Sequence, residues 1–223
     1  MMMAQRENIP HKPLSTPAGD GQPGPPPRAY LAGPDVFLPG AAAQARAKVA
    51  ICARYGIEGC PPLNEDADAL ASLLDDEAWR AIFAKDIAMM EAADLVIANL
   101  TPFRGASADA GTLIEVGWFL GRGRPVFGYS NTATPFAERS RALLAVQPDA
   151  MPGLAVEGFG LADNLMVPGA VLLGGGLAMV LPGDGQDRAF DALDVFERCV
   201  AAAAAAMKEL MRDAALLHGP ALG

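Results

Sequence analysis

The sequence predicts a single α/β domain: a parallel β-sheet with helices on both faces. Three observations lead there. From Arg28 onward, short apolar segments alternate with stretches of helical period, the rhythm of successive βαβ units. One of them, Leu95-Val-Ile-Ala-Asn-Leu100, is a short apolar run that reads as a strand leading into a helix. The chain has 223 residues, 52% of them apolar, which suffices for one domain with a full core.

Taken in order, residues 1–27 are rich in Pro and Gly and form a disordered or extended tail, ending in Pro23-Gly-Pro-Pro-Pro27. The folded domain then covers 28–215. Arg28-Ala-Tyr-Leu-Ala-Gly33-Pro34 is a short strand stopped by Gly-Pro. Ala41–Tyr55 is an Ala-rich helix, and Gly56–Cys60 a second strand closed by Pro61-Pro62. Asn64 to about Asp75 is a polar loop of the kind that lies over a site. Asp75–Ala92 is a helix, with Ile82, Phe83, Ile87 and Met90 at helical spacing and Asp86 among them. Strand 94–100 follows, then a loop over 101–108, a helix from Ala110, and strand Pro125–Tyr129. Beyond Asn131 the pattern weakens. It allows helices at Phe136–Val146 and Asn164–Leu172, a flexible turn at Gly174–Gly176, an apolar segment at Leu177–Leu181, and a helix over Arg188–Leu217.

Composition excludes several kinds of function. A net charge of −9 leaves no basic stripe for nucleic acid. No apolar run approaches membrane-spanning length, and the opening Met1-Met-Met-Ala-Gln-Arg-Glu lacks a signal-peptide core, so a cytoplasmic protein is expected. Cys52, Cys60 and Cys199 are scattered and odd in number, which fits buried free thiols better than disulfides or zinc. The two histidines, His11 and His218, lie near the ends, so histidine-based triads and His-ligated metals are not expected. No metal site is expected. With no Walker loop and no GxGxxG between a strand and a helix, no dinucleotide cofactor is expected either. Acid–base chemistry must fall to carboxylates, tyrosine or lysine.

The segment Arg104-Gly-Ala-Ser-Ala-Asp109-Ala-Gly-Thr112-Leu-Ile-Glu115-Val-Gly-Trp-Phe-Leu-Gly121 concentrates these groups. Asp109 stands where the helix begins and can cap it by accepting from the Thr112 N–H. Glu115 stands amid Leu113, Ile114, Val116, Trp118 and Phe119, where a charge is costly unless paired or used. Both carboxyls can meet if Asp109 lies in the loop and Glu115 points toward it from the second turn. Two carboxyls in one cleft push their pKa values apart. A capping Asp and a solvated Glu remain the alternative. Right-handed crossovers place the loops after the first and third strands on one edge, where Tyr30, Gly33, Asp109 and Glu115 would gather.

Tyr30-Leu-Ala-Gly-Pro34, Phe37, Pro102-Phe-Arg-Gly105 and Asp109-x-Gly-Thr-x-x-Glu115-x-Gly117, with Val156-Glu-Gly-Phe-Gly160 and Asn164-Leu-Met166, resemble the nucleoside 2-deoxyribosyltransferase family. The resemblance covers roughly 28–200 and implies a flavodoxin-like (Rossmann-like) parallel sheet. It also implies the roles. Glu115 is the nucleophile on the anomeric carbon of a 2′-deoxynucleoside, giving a covalent deoxyribosyl-enzyme that a free purine or pyrimidine base displaces with net retention. Tyr30 orients the glutamate, Asp109 binds the sugar hydroxyls, and Asp86 protonates or hydrogen-bonds the base. Gly33 and Phe37 belong to the substrate-binding motif. Asn164 and Met166 complete the site of a neighbouring subunit, which implies a homo-oligomer. No cofactor is implied. The Pro-rich tail and the segment 168–187 look like additions to the family core, and the loop at 64–75 is a candidate lid.

Two other functions compete. A hydrolase of 2′-deoxynucleoside 5′-monophosphates needs a phosphate pocket; Ser107 and Arg104 lie near the motif, but Asp35-Val-Phe37 follows the first strand instead of a Gly/Ser-rich loop. Asp35 beside the 5′ position is expected to repel a phosphate and favour the free nucleoside. A non-catalytic nucleotide-binding module would have no use for a buried nucleophile.

Overall fold

The computed structural model describes residues 24–63, 75–147 and 153–217. The expectations for the tail and the lid fall outside them, apart from Gly24–Pro27 and Asp75. Four parallel strands form one sheet in the order β2-β1-β3-β4: β1 (Arg28–Tyr30), β2 (Glu58–Cys60), β3 (Leu95–Asn99) and β4 (Val126–Tyr129). A 3-10 turn, Pro34–Phe37, follows β1. The helices are α1 (Ala41–Arg54), α2 (Asp75–Ala92), α3 (Ala110–Gly121), α4 (Phe136–Val146), α5 (Met166–Gly175) and α6 (Asp194–Leu217).

The alternation of side chains along each strand assigns the helices to faces. Ala29, Leu31, Leu95, Ile97, Phe127 and Tyr129 pack with α1 and α6, where Ile51, Cys52, Phe196, Cys199 and Val200 meet them. Tyr30, Ala32, Val96, Ala98 and Val126 pack with α2, α3 and α5, against Met90, Val116, Phe119, Val167 and Val171. β3 is covered from both sides, and all five of its residues are buried. The order of addition reverses between β1 and β3, which puts α1 on one face and α2 and α3 on the other. That reversal opens a crevice at the C-terminal ends of β1 and β3.

Several boundaries differ from the sequence expectation for physical reasons. Gly174 and Gly175 are the end of α5, not a flexible turn. A Cβ on Gly175 would lie 2.2 Å from the Val126 carbonyl oxygen, and one on Gly174 would lie 2.7 Å from the Val126 Cβ. These glycines let the helix lie against β4; only Gly176, at φ 67°, serves as the left-handed stop. The following segment joins the sheet at one residue. Val180 donates to the Gly128 carbonyl at 2.9 Å and accepts from Ser130 N at 3.0 Å. Val171 and Met179 of the 168–187 segment are therefore part of the core, while Gly183–Asp187 are exposed. The last helix begins at Asp194, since residues 189–192 are held as a loop by Asn131, whose Nδ2 donates to the carbonyls of Ala189, Phe190 and Ala192. All three cysteines are free, but Cys60 is only half-buried, with the Arg28 guanidinium donating to its Sγ at 3.7 Å. Among the described residues, no helix is long and apolar enough to cross a membrane.

The two helix–sheet glycine types separate in a stability measurement. Gly175→Ala is expected to cost about 1–3 kcal/mol or more through overpacking. Gly169→Ala, where a Cβ meets nothing within 4 Å, is expected to gain about 0.5–1 kcal/mol from helix propensity. Urea unfolding of both variants reads the difference, and equal effects would contradict the close approach of α5 to β4.

Candidate active site

Tyr30 ends β1 with its side chain on the α2/α3/α5 face. Its ring is fully buried, 6.0 Å from the Phe119 ring, so its position is fixed by the core. Its hydroxyl reaches out of that core and donates to Glu115 Oε1 at 2.7 Å. Glu115 stands in the second turn of α3. Val116 and Phe119 of the same helix are buried in the core, and Ile114 faces outward. The helix starts at Asp109, whose carboxylate accepts from Thr112 N at 3.1 Å and Thr112 Oγ1 at 3.3 Å. The anticipated cap is thus present, and it fixes the start of the turn that presents Glu115. Asp86, half-buried on α2, completes the group.

These neighbours set the protonation of Glu115. Burial raises its pKa to about 7; the Tyr30 hydrogen bond works against that rise, and the charges of Asp86 and Asp109 add to it. Burial also raises the Asp86 pKa, with Lys85 opposing. Tyr30 is pushed well above its ordinary range by burial and by the Glu115 charge, so it remains a donor. The site therefore holds a carboxyl raised toward neutrality and a fixed hydroxyl donor. Glu115 is not the solvated surface residue of the alternative reading.

The loop after β1 is held by a network that the sequence did not reveal. Gly33, at φ 152°, lies so close to β3 that a Cβ would sit 2.7 Å from the Asn99 Cβ. Asp35 forms a 2.7 Å ion pair with Lys48 of α1, and accepts from Asn99 Nδ2 at 3.0 Å. Lys48 is buried, with its ammonium 5.0 Å from the Phe196 ring centre. The charge on Asp35 is thus met from inside the protein by Lys48. Lys48 had a visible signal, since it stands one turn before the buried Ile51 in α1. Asn99 ended an apolar strand without any motif.

Phe37 lies on the 3-10 turn, 57% exposed, and stacks on Phe103 with ring centres 5.7 Å apart. Asn164 and Met166 are not brought to Glu115. Asn164 Nδ2 donates to Glu157 Oε2 at 3.2 Å and its Oδ1 accepts from Met166 N, while the Met166 side chain is 71% exposed. The buried Asp163 ties this segment to the β3–α3 loop: Ser107 Oγ and Ala108 N donate to its carboxylate, as does Asn164 N at 2.7 Å. Among the described residues, no cluster of three or more His, Cys, Asp and Glu side chains could hold a metal.

A doubly covered parallel sheet with a half-buried, tyrosine-held glutamate beside its strand-order reversal defines an α/β enzyme whose site is built on carboxyls. The family model for nucleoside 2-deoxyribosyltransferase matches residues 29–166, and the chain belongs to that family. It is similar to the solved 2-desoxiribosyltransferase from Leishmania mexicana, with 26% identity and a TM-score of 0.51, over 84% of this chain and 98% of that one. It is also 28% identical over 171 residues to an uncharacterized protein of Schizosaccharomyces pombe, covering 69% of this chain and 81% of the relative. The fold and the family thus agree on a deoxyribosyltransferase-type enzyme. The segment from Val167 onward lies beyond the family match, yet Val167 and Val171 are in the core.

The raised Glu115 pKa has a stability consequence. The folded carboxyl keeps its proton up to about pH 7, while the unfolded one loses it near its ordinary value of 4.5. The native state binds more protons between those values, so stability falls as pH rises through that window, by on the order of 3 kcal/mol when complete. Glu115→Gln keeps an acceptor for Tyr30 and removes the charge. Its melting temperature is expected to exceed that of the wild type at about pH 8, with the gap closing by about pH 5. A gap independent of pH would contradict the burial of an ionising carboxyl.

Proposed function

We propose that the enzyme transfers the 2-deoxyribosyl group from a 2′-deoxynucleoside to a free purine or pyrimidine base through a covalent intermediate on Glu115. The observation that carries this reading is the 2.7 Å contact between Tyr30 Oη and a Glu115 carboxyl whose pKa is near 7, with Asp86 and Asp109 close by. In the first half-reaction a Glu115 oxygen bonds to C1′ as the C1′–N bond breaks. The bonding pair leaves with the base nitrogen, which receives a proton from Asp86 or is hydrogen-bonded by it. In the second half an incoming base attacks C1′, loses its proton to Asp86, and frees the Glu115 carboxylate. Two inversions give net retention. Tyr30 holds the attacking oxygen in place, and Asp109 binds sugar hydroxyls from the helix start. Gly33 and Phe37 form the substrate rim.

Asn164 and Met166 serve a neighbouring subunit in this account, which makes the enzyme a homo-oligomer. Their lack of contact with their own Glu115 and the exposure of Met166 support that role. An active monomer in sedimentation at assay concentration would remove it.

The test is an exchange assay with thymidine or deoxyinosine as donor and adenine as acceptor. Deoxyadenosine is expected to form, and Glu115→Ala is expected to reduce its rate by at least about a thousandfold. Asp86→Asn is expected to cost about a hundredfold or more. Release of free base without a new nucleoside would favour the hydrolase. The pH profile of kcat/KM follows from the same nucleophile: the rate is expected to rise through about pH 7 as Glu115 ionises. A flat profile from acid to neutral pH would contradict the nucleophile assignment.

A further inference from the structure

Asp163 is fully buried, and the catalytic scheme leaves its carboxylate unused. Burying a charge is costly unless hydrogen bonds and an opposite charge meet it. Three donors and one cation do so among the described residues. Ser107 Oγ and Asn164 N donate to Oδ1, the latter at 2.7 Å, and Ala108 N donates to Oδ2 at 2.9 Å. The Arg139 guanidinium of α4 lies 3.9 Å from Oδ2. It also donates to the carbonyl oxygens of Ala106 at 2.9 Å, of Ala162 at 2.7 Å and of Thr134. Residues 106, 107 and 108 are therefore each held by this pair, and the next residue is Asp109.

Asp109 needs that support more than Glu115 does. Glu115 is followed on α3 by the buried Val116 and is bonded to Tyr30 at 2.7 Å, so core contacts fix it. Asp109 stands before the first turn of the helix and is only half-buried. Its place depends on the loop that leads into it. One of its oxygens, Oδ2, takes both capping bonds, from Thr112 N at 3.1 Å and Thr112 Oγ1 at 3.3 Å. Oδ1 has no donor among the described residues, so it remains to accept from a ligand hydroxyl. The Asp109 charge also acts on Glu115, which puts this oxygen on the side of the nucleophile.

We propose that Asp163, with Arg139, is a positioning residue: it sets the end of the β3–α3 loop so that Asp109 Oδ1 meets a hydroxyl of the deoxyribosyl group. The inference rests on the reading of Asp109 as the sugar ligand, and it adds no chemical step. A hydroxyl-to-carboxylate hydrogen bond weakens steeply once its distance and angle slip. Asp163→Asn keeps the size of the side chain but puts an NH2 group where one acceptor oxygen stood. Whichever way the amide turns, that group faces an N–H or O–H donor of the loop, so the loop must shift. The core contacts that hold Glu115 are untouched. The loss therefore falls on substrates that present the hydroxyl Asp109 takes.

The test measures adenine release by the full-length chain, with hypoxanthine as acceptor, from 2′-deoxyadenosine and its 2′,3′-dideoxy and 2′,5′-dideoxy analogues. Each analogue lacks one sugar hydroxyl, so the ratio of kcat/KM for parent over analogue reads the contact that hydroxyl makes. In the wild type at least one ratio is expected to be about 10–100 or more. Asp109→Ser keeps an N-cap while withdrawing the carboxylate, and is expected to bring one such ratio down to about 1. Asp163→Asn is expected to lower that same ratio about 5–20-fold, with kcat/KM for the analogue little changed. A general loosening of the fold would slow parent and analogue alike and leave the ratio as it was. A ratio unchanged in Asp163→Asn but collapsed in Asp109→Ser overturns this inference and leaves the sugar reading of Asp109 standing. Ratios that survive Asp109→Ser remove that reading and this inference with it, as does a wild type that releases no adenine from any donor. If Asp163→Asn does not fold, Ser107→Ala deletes one of the donors: a fall of about 2–5-fold upholds the inference, and no fall overturns it.

Discussion

Glu115 carries a carboxyl that its surroundings make costly to ionise. Burial is the largest cause, Asp86 and Asp109 add to it, and the hydrogen bond from Tyr30 works the other way. A stability-optimised helix would put an apolar or neutral residue at this position. That the chain keeps an acid there, and sets a fully buried tyrosine to hold it, is the kind of local conflict that marks a functional site. The same conflict is useful chemically. A carboxylate with poor solvation and one strong donor is a better nucleophile than one in water, and a neighbouring carboxyl whose pKa burial raises is suited to assist the leaving base.

The rest of the structure serves this arrangement. Tyr30 can be rigid because it ends a strand whose other side chains alternate between two cores. Glu115 can be placed because Asp109 fixes the helix start and Val116 and Phe119 fix its rotation. The rim above is set by Gly33, which only a residue without a Cβ could bring so close to Asn99, and by the Asp35–Lys48 pair beneath it. A buried ion pair adds little net stability, since desolvation of both groups offsets their attraction. Its value here is positional: it ties the loop after β1 to α1 on the opposite face of the sheet.

The fold was largely legible in the sequence because strands and helices alternate cleanly from Arg28 to Tyr129, and the α2 and α4 spans were readable to the residue. Tyr30, Asp109 and Glu115 were legible as a group because motif and topology pointed to one edge. Other features depend on contacts that no local pattern encodes. Gly174 and Gly175 look like a turn in isolation, and only the nearness of β4 turns them into helix. Asp35 looks like a free acid until Lys48, thirteen positions on, is seen beneath it. Asp163, which organises the loop before α3, was passed over because its partners Ser107 and Ala108 lie more than fifty positions away.

The central claim is that Glu115 bonds to the anomeric carbon, and a covalent trap tests it most directly. The enzyme is mixed with a 2′-deoxynucleoside in the absence of acceptor base, quenched in acid and digested, and the peptides are weighed. On this account the peptide carrying Glu115 gains the mass of one 2-deoxyribosyl group, and adding acceptor base before the quench removes it. A label on another residue, or turnover with no labelled peptide at any time point, would contradict the assignment.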